Sequence, residues 1–246
     1  MEFDDRIDPT WQTLDDLQNG YYVIQSKDGF RFGIDAVLLA DFAKTATGRA
    51  VDLCTGSGII PILLSAKTQL ERIDAVEIHP TAAEMAAQSV SLNGLDDRIY
   101  VKCADLRTAP EIYGKSVFDA VTVNPPYIRS GGGIASEGDM KLAARHEVMC
   151  TLEDVISVSS KLLKPLARFY MVHRPHRLAD IIVLMRQYKI EPKLMRFVCP
   201  SMDKPANMVL IQGIKNAKSE LKLMPDLYVY DRQGNYTKEI DYIYGR

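Results

Sequence analysis

The tetrapeptide Asn124-Pro125-Pro126-Tyr127 concentrates an amide side chain, carbonyl acceptors and an aromatic ring within four residues. Those are the groups that hold a planar amino group: acceptors for its two N–H bonds and a face on which its ring can stack. The two prolines fix φ near −65° and donate no backbone hydrogen bonds, so the corner is stiff and a strand entering it must end there. An asparagine closing a strand before a proline turn is also common in α/β proteins. The tetrapeptide gains its weight from residues further upstream.

Ala50-Val51-Asp52-Leu53-Cys54 reads as a strand that runs into Thr55-Gly56-Ser57-Gly58 and then a helix from Ile59 to Lys67. Strand, glycine-rich turn and helix form the opening of a nucleotide-binding α/β unit, because glycine lets the backbone approach a ligand at positive φ. The third glycine of the dinucleotide fingerprint is missing, since Pro61 and Ile62 follow, which argues against a pyrophosphate site. A second strand, 72–77, ends in Glu77, about twenty residues past the turn, where a carboxylate can accept both ribose hydroxyls of a nucleoside. A third, 98–103, leads to Ala104-Asp105. Each acid has an ordinary reading as a polar strand terminus. Asp52, Glu77 and Asp105 at successive strand ends point together to a nucleoside-type cofactor.

The remaining elements must position these groups. The run 117–123 is a buried strand delivering the Asn-Pro-Pro-Tyr corner. Residues 1–20 read as irregular. Residues 21–25 and 30–32 flank Ser26-Lys27-Asp28-Gly29 as a small hairpin, and Asp35 is placed as N-cap of a short apolar helix over 36–43. That helix end could also face a ligand carboxylate. Pro80 opens a helix over 81–93 that Gly94 closes. After the corner, residues 128–139 with Gly131-Gly132-Gly133 read as a loop over the site, and His146 as a helix-flanking residue. Thr151 to Asp154 forms a capping-box pattern for a helix to Leu163. A strand over 168–173, a helix from Pro175 to Tyr188, paired strands 193–199 and 207–213, and a terminal hairpin with a Gly234-Asn235 turn complete the chain.

The 246 residues suit one large domain, with 47% hydrophobic and 25% charged residues. The net charge of −2 hides an asymmetry: residues 1–159 carry 14 Lys/Arg against 24 Asp/Glu, residues 160–246 carry 16 against 8. A basic C-terminal third on an acidic body reads as a patch for an anionic partner. The acidic start has no secretory pattern and no apolar run is long enough for a bilayer, so the expected location is the cytoplasm. Cys54, Cys103, Cys150 and Cys199 lie nearly fifty residues apart with no C-x-x-C pair, so no metal site is expected and the thiols read as small core residues.

With both motifs in place, the chain resembles class I S-adenosylmethionine (SAM) methyltransferases, and within them the amino-group enzymes with an N-P-P-Y corner. It is most similar to the bacterial tRNA1(Val) (adenine-37-N6)-methyltransferase family, nearly end to end. The similarity takes in Gly29 to Leu39, Asp52 to Gly58, Arg145-His146-Glu147, Pro205 to Ile211 and Gly234 to Thr237. The resemblance implies a Rossmann-like α/β fold with a seven-stranded, mostly parallel sheet flanked by helices. It implies an N-terminal hairpin and helix extension over 1–48, and a methyltransferase domain over 49–246 with basic substrate-binding elements at its end. SAM would be the cofactor, held by Asp35, Asp52, Thr55, Gly56, Gly58, Glu77, Ile78, Ala104, Asp105 and Asn124. Asn124, Pro125, Pro126 and Tyr127 would be catalytic, with Tyr127, Arg145, Lys204 and Asn207 binding the substrate. The implied partner is tRNA, with no membrane or metal and the oligomeric state open. The same corner suits a protein glutamine-N5 or rRNA guanine-N2 methyltransferase. Glutamine enzymes usually carry a larger helical domain before the cofactor loop. A non-catalytic RNA-binding protein on this fold is the remaining alternative, against which the intact Asn124, Tyr127 and acidic strand ends speak.

Overall fold

A computed structural model describes residues 7–18, 20–27, 32–126 and 150–246. Tyr127, Arg145, His146 and the Gly131–Gly133 run lie outside the described residues. The chain opens with β1 (Gln12–Asp16) and β2 (Tyr22–Ser26), then α1 (Ile34–Phe42). An alternating series follows: β3 (Thr47–Leu53), α2 (Ile59–Lys67), β4 (Gln69–Glu77), α3 (Pro80–Leu92), β5 (Ile99–Cys103), α4 (Ala109–Tyr113) and β6 (Phe118–Val123). After residue 150 come α5 (Leu152–Leu162), β7 (Leu163–His173), α6 (Leu178–Gln187), β8 (Ile190–Cys199), β9 (Met208–Lys215), β10 (Lys222–Leu223), β11 (Leu227–Tyr228) and α7 (Lys238–Tyr244).

The seven long strands form one sheet in the order β8-β9-β7-β6-β3-β4-β5, parallel except for β9, which runs against both neighbours. Two two-residue strands, β10 and β11, pair in parallel with β8 and bring the sheet to nine. The central strands are apolar on both sides because helices cover both faces. On one face α1, α2 and α7 bury Leu38, Leu39, Ile62, Leu64 and Ile240 against the sheet. On the other, α5 and α6 bury Val155, Ile156, Ile181 and Met185 against Val121, Val123, Phe169 and Met171. The capping box of α5 is present: Asp154 N–H donates to Thr151 Oγ1 at 3.1 Å and Thr151 N–H to Asp154 Oδ2 at 2.9 Å.

Three local expectations need correction. Strand β2 pairs with β1, Gln12 opposite Ser26, so part of the stretch expected to be irregular is a strand. Ser89 on α3 accepts from Ile24 N–H at 2.9 Å, and this docking orders a pairing that local turn residues did not signal. Asp35 is not the N-cap of α1: Gly33 occupies that position and Asp35 stands in the first turn, its Oδ1 accepting from Ala36 N–H at 3.0 Å. The C-terminal hairpin reduces to one antiparallel bridge, Tyr230 to Tyr236, followed by the unexpected α7. Thr237 caps α7, and Ile240 and Ile243 bury its inner face.

Candidate active site

From β3 the chain winds outward through β4 and β5, then returns to lay β6 on the other side of β3. The strand order therefore reverses between β3 and β6, and a crevice opens at their carboxyl ends, where open α/β sheets take their ligands. Leu53 is paired with both Val76 and Val123, so the glycine loop, Glu77 and Asn124 emerge side by side.

On the β3–β5 side the loop is held tightly. Thr55 N–H donates to Val76 O at 3.1 Å, and Gly56 N–H donates to Glu77 Oε2 at 2.9 Å. The other Glu77 oxygen, Oε1, accepts from His79 N–H at 2.9 Å. Two backbone donors thus fix a carboxylate whose oxygens each retain a second acceptor lone pair. Gly56 has φ +58°, and a Cβ added there would meet no atom within 4 Å; Gly58, at φ +85°, would bring one to 3.2 Å from Ala86 Cβ. The first glycine leaves room for a ligand, and the second lets α2 approach α3.

Asp52 is fully buried. Its Oδ1 accepts from Thr122 Oγ1 at 2.6 Å, whereas Oδ2 has no hydrogen-bond partner. Burial pushes its pKa up to about 7, against the pull of Thr122. The Thr55 hydroxyl lies close enough to temper that rise, yet it too is buried without a hydrogen bond. The third such atom here is Asn124 Oδ1. Buried polar atoms without partners are rare and costly. Three around one crevice suit a ligand that brings several N–H and O–H donors, as a nucleoside bearing an ammonium group does.

On the β6–β7 side, a cavity of about 290 Å³ is lined by Pro125, Pro126, Cys150, Thr151, Leu152, Val155, His173 and Arg177. The sequence reading passed over His173; the signal for it was the parallel run of two strands ending together, which spacing alone does not reveal. Cys54 and Cys150 are half-buried and pack against the core, as expected of small apolar residues. The two thiols influence each other, which with burial raises Cys54 well above the usual thiol range and lowers Cys150. Cys103 is exposed, and only Cys199 is buried.

The other candidates are peripheral. Asp35 is buried at the start of α1. Ile78 and Ala104 follow the tips of β4 and β5, and Ala104 N–H donates to Glu77 O at 2.9 Å. Asp105 caps a short 3-10 turn and pairs with Arg107, which holds its carboxyl below the usual range. Lys204 and Asn207 lie exposed between β8 and β9, and Asn207 O accepts from Arg174 Nη1 at 2.9 Å. Much of the C-terminal positive charge is paired: Lys164 with Asp119, Arg177 with Asp180, and Arg196 with Glu239. Among the described residues no His/Cys/Asp/Glu cluster could hold a metal ion, and no helix is long and apolar enough to cross a membrane.

Residues 24–177, from β2 through the turn after β7, match the family described as the methyltransferase small domain. A Porphyromonas gingivalis protein named tRNA1(Val) (adenine(37)-N6)-methyltransferase is 29% identical over 173 residues, covering 68% of this chain and 67% of its own. A Pectobacterium carotovorum protein of the same name is 26% identical over 219 residues, 88% of this chain and 86% of its own. Among solved structures, a predicted O-methyltransferase from Agrobacterium tumefaciens superposes with a TM-score of 0.67 at 22% identity, covering 86% of this chain and 95% of that one. The sheet order, the crevice at its reversal and the matched span agree, and the chain belongs to the methyltransferase small domain family as a class I, SAM-dependent methyltransferase.

Proposed function

We propose that this enzyme methylates the exocyclic N6 of an adenine in tRNA, with adenine-37 of a valine tRNA as the favoured target. The observation that carries the reading is the buried, unpartnered Asn124 Oδ1 at the tip of β6, beside the glycine loop. The activity in the names of the similar proteins supports the same reading. SAM, when bound, supplies an electrophilic sulfonium methyl group. Glu77 accepts the ribose hydroxyls, Gly56 and Gly58 let the backbone close on the cofactor, and Asp52 faces its ammonium end. Asp35, Thr55, Ile78, Ala104 and Asp105 complete that side.

The chain's task at the amine is alignment and charge. An exocyclic amine is a poor nucleophile because its lone pair is delocalised into the ring. Asn124 Oδ1 and the Pro125 carbonyl accept its two N–H bonds, favour a pyramidal nitrogen and stabilise positive charge as it develops. Pro126 keeps that carbonyl fixed, and Tyr127 stacks on the base, worth about 1–3 kcal/mol. The adenine must leave its stack to reach the corner. Arg145, Lys204 and Asn207 hold the RNA around it. Residues 1–48 serve as an extension and 49–246 as the catalytic domain, acting in the cytoplasm where tRNA is found.

Incubating the enzyme with methyl-labelled SAM and total tRNA tests the reading. N6-methyladenosine in the RNA is the expected product. Label found only in protein would move the assignment to glutamine, and label in N2-methylguanosine to guanine.

A further inference from the structure

Among the described residues, aromatic rings pair in two ways. In the core they meet edge to face, Phe42 with Tyr170 at 88° and Tyr113 with Phe118 at 79°. After β11 they lie flat: Tyr230 on Tyr236 at 17° with 5.3 Å between centroids, and Tyr236 on Tyr244 at 13° with 5.8 Å. Tyr236 and Tyr244 pack against the cluster that holds Ile240 and Ile243, and the Arg246 guanidinium lies 5.3 Å from the Tyr244 ring and 5.7 Å from that of Tyr236. Tyr230 ends the stack and is 41% exposed. With one face laid on Tyr236, that exposure falls on the other face and the ring edge. A parallel stack therefore offers a flat π surface outward, where an edge-to-face pair would not.

The stack stands at the rim that carries the crevice. Tyr228 pairs with Cys199 at the carboxyl end of β8, and Tyr230 N–H donates to Pro200 O at 2.9 Å. β7 and β8 both run against β9, and β7 is parallel to β6, so Tyr230 and Asn124 are at the same end of the sheet. Four strand spacings separate them, about 19 Å. Alternation along β6 puts Asn124 on the face of Ala120, the face on which Tyr236 and Tyr244 pack. The connection that starts at Pro200 carries the exposed Lys204, and the exposed Arg232 follows Tyr230 by two residues. Of the two nearby acids, Asp203 is exposed, whereas Asp231 Oδ1 accepts from the Gln233 and Asn235 N–H groups.

We infer that the open face of Tyr230 stacks on an unpaired nucleobase of the substrate RNA, several nucleotides from the adenine that is methylated. The inference rests on the tRNA adenine-N6 reading. An adenine drawn out of its stack leaves its neighbours short of stacking partners. A ring already fixed on two others, themselves anchored on the core, supplies such a partner with little ordering cost of its own. Every base has a π-face, so Tyr230 would orient the RNA without reading its sequence. Lys204 and Arg232 beside the ring suit the phosphates on either side of that base.

The experiment uses the full chain, saturating SAM and valine tRNA transcripts, one natural and a set with a single abasic site at each other unpaired nucleotide of the loop that holds the target. For the wild-type enzyme, one abasic position should raise KM about tenfold and the others change it little. Tyr230→Ala should raise KM on natural RNA by a similar factor with SAM affinity unchanged, and the same abasic position should then add nothing, the coupling expected of two groups in contact. Tyr230→Trp keeps a flat ring and should hold KM near that of the wild type, whereas Tyr230→Leu, apolar but not flat, should behave as Tyr230→Ala does. A purely structural role would lower the melting temperature and kcat and couple to no single nucleotide. An unchanged KM in Tyr230→Ala would overturn the assignment, and so would an abasic penalty that persists undiminished in it. Should the Ala variant fail to fold, Tyr230→Leu and Tyr230→Trp carry the same comparison. Absence of N6-methyladenosine on the natural transcript with the wild-type enzyme would instead remove the adenine reading, and this inference with it.

Discussion

The two halves of the crevice are built to opposite rules. The half on β3, β4 and β5 is a set of acceptors on a glycine-softened backbone: Asp52, Glu77 and Asp105 stand at or near successive strand ends around the Thr55–Gly58 turn. The half on β6 and β7 is stiffened by two prolines, and its cavity is lined by the buried His173 and by Arg177. Acceptors suit a cofactor rich in donors and carrying positive charge. A rigid, largely apolar corner suits a flat base. Asn124 stands where the halves meet. The contrast implies that each half can be damaged while the other keeps working.

The largest effect is expected at the junction. Asn124→Ala removes the side-chain acceptor proposed for the reacting amine, and transfer should fall by about 100–1,000-fold, by analogy with loss of one group that stabilises developing charge. SAM binding measured by calorimetry should change only a few-fold. A loss of SAM binding equal to the loss of rate would show that Asn124 belongs to the cofactor half alone. Glu77→Ala should do the reverse. The Gly56 and His79 N–H groups lose their acceptor, and so does the ribose in the proposed binding mode, so the SAM dissociation constant should rise on the order of 100-fold. RNA affinity in a filter-binding assay should hold, and a parallel collapse of RNA binding would argue against separable halves.

Asp52 sharpens the comparison through pH. Its carboxyl titrates near 3.8 in an unfolded chain and at about 7 when buried in the fold. The folded state therefore holds the proton more tightly. The stability this contributes is fully present below about pH 4 and is lost as pH rises through 7, a cost on the order of 4 kcal/mol for the ionised form. Asp52→Asn cannot ionise and keeps an oxygen for the Thr122 hydroxyl. It should melt several degrees higher than wild type at pH 8 and nearly level with it at about pH 3.5. SAM affinity of the wild type should rise with pH through 7, as the acceptor becomes an anion for a cationic ligand, while that of Asp52→Asn stays low and flat. Matching melting curves at pH 8 would mean that the carboxylate is solvated in the fold.

The same division explains what the sequence disclosed. The cofactor half was legible because its devices are local: a strand, a turn that needs glycine, and an acid at the next strand end. The boundaries of α2 and the capping box of α5 followed from equally local signals. The corner was legible because two prolines leave a chain few options. The place of His173 in the cavity was not, since it depends on the register between β6 and β7, and nothing in the residues near 173 reports which strand lies alongside. The β1–β2 pairing and α7 were hidden for a related reason. Both depend on surfaces supplied from far away in sequence, α3 for β2 and the sheet face for Ile240 and Ile243. The basic third was visible as a count, but not as the set of ion pairs that neutralise much of it.

Those pairs set the smallest expected effect. A cation already held by a carboxylate has less to offer a phosphate, whereas Lys204 is exposed and takes part in no ion pair among the described residues. It lies in the connection between β8, which ends at this edge of the sheet, and β9, whose Val209 pairs with His173. Lys204→Ala should weaken tRNA binding only a few-fold and lower the slope of log affinity against log salt by about one, the signature of a single lost phosphate contact. Arg196→Ala removes a cation held by Glu239, and should leave that slope unchanged while destabilising the packing of α7. Equal slopes for wild type and Lys204→Ala would place the RNA backbone elsewhere on the rim. A change of slope in Arg196→Ala would show that RNA can break an ion pair to reach its cation.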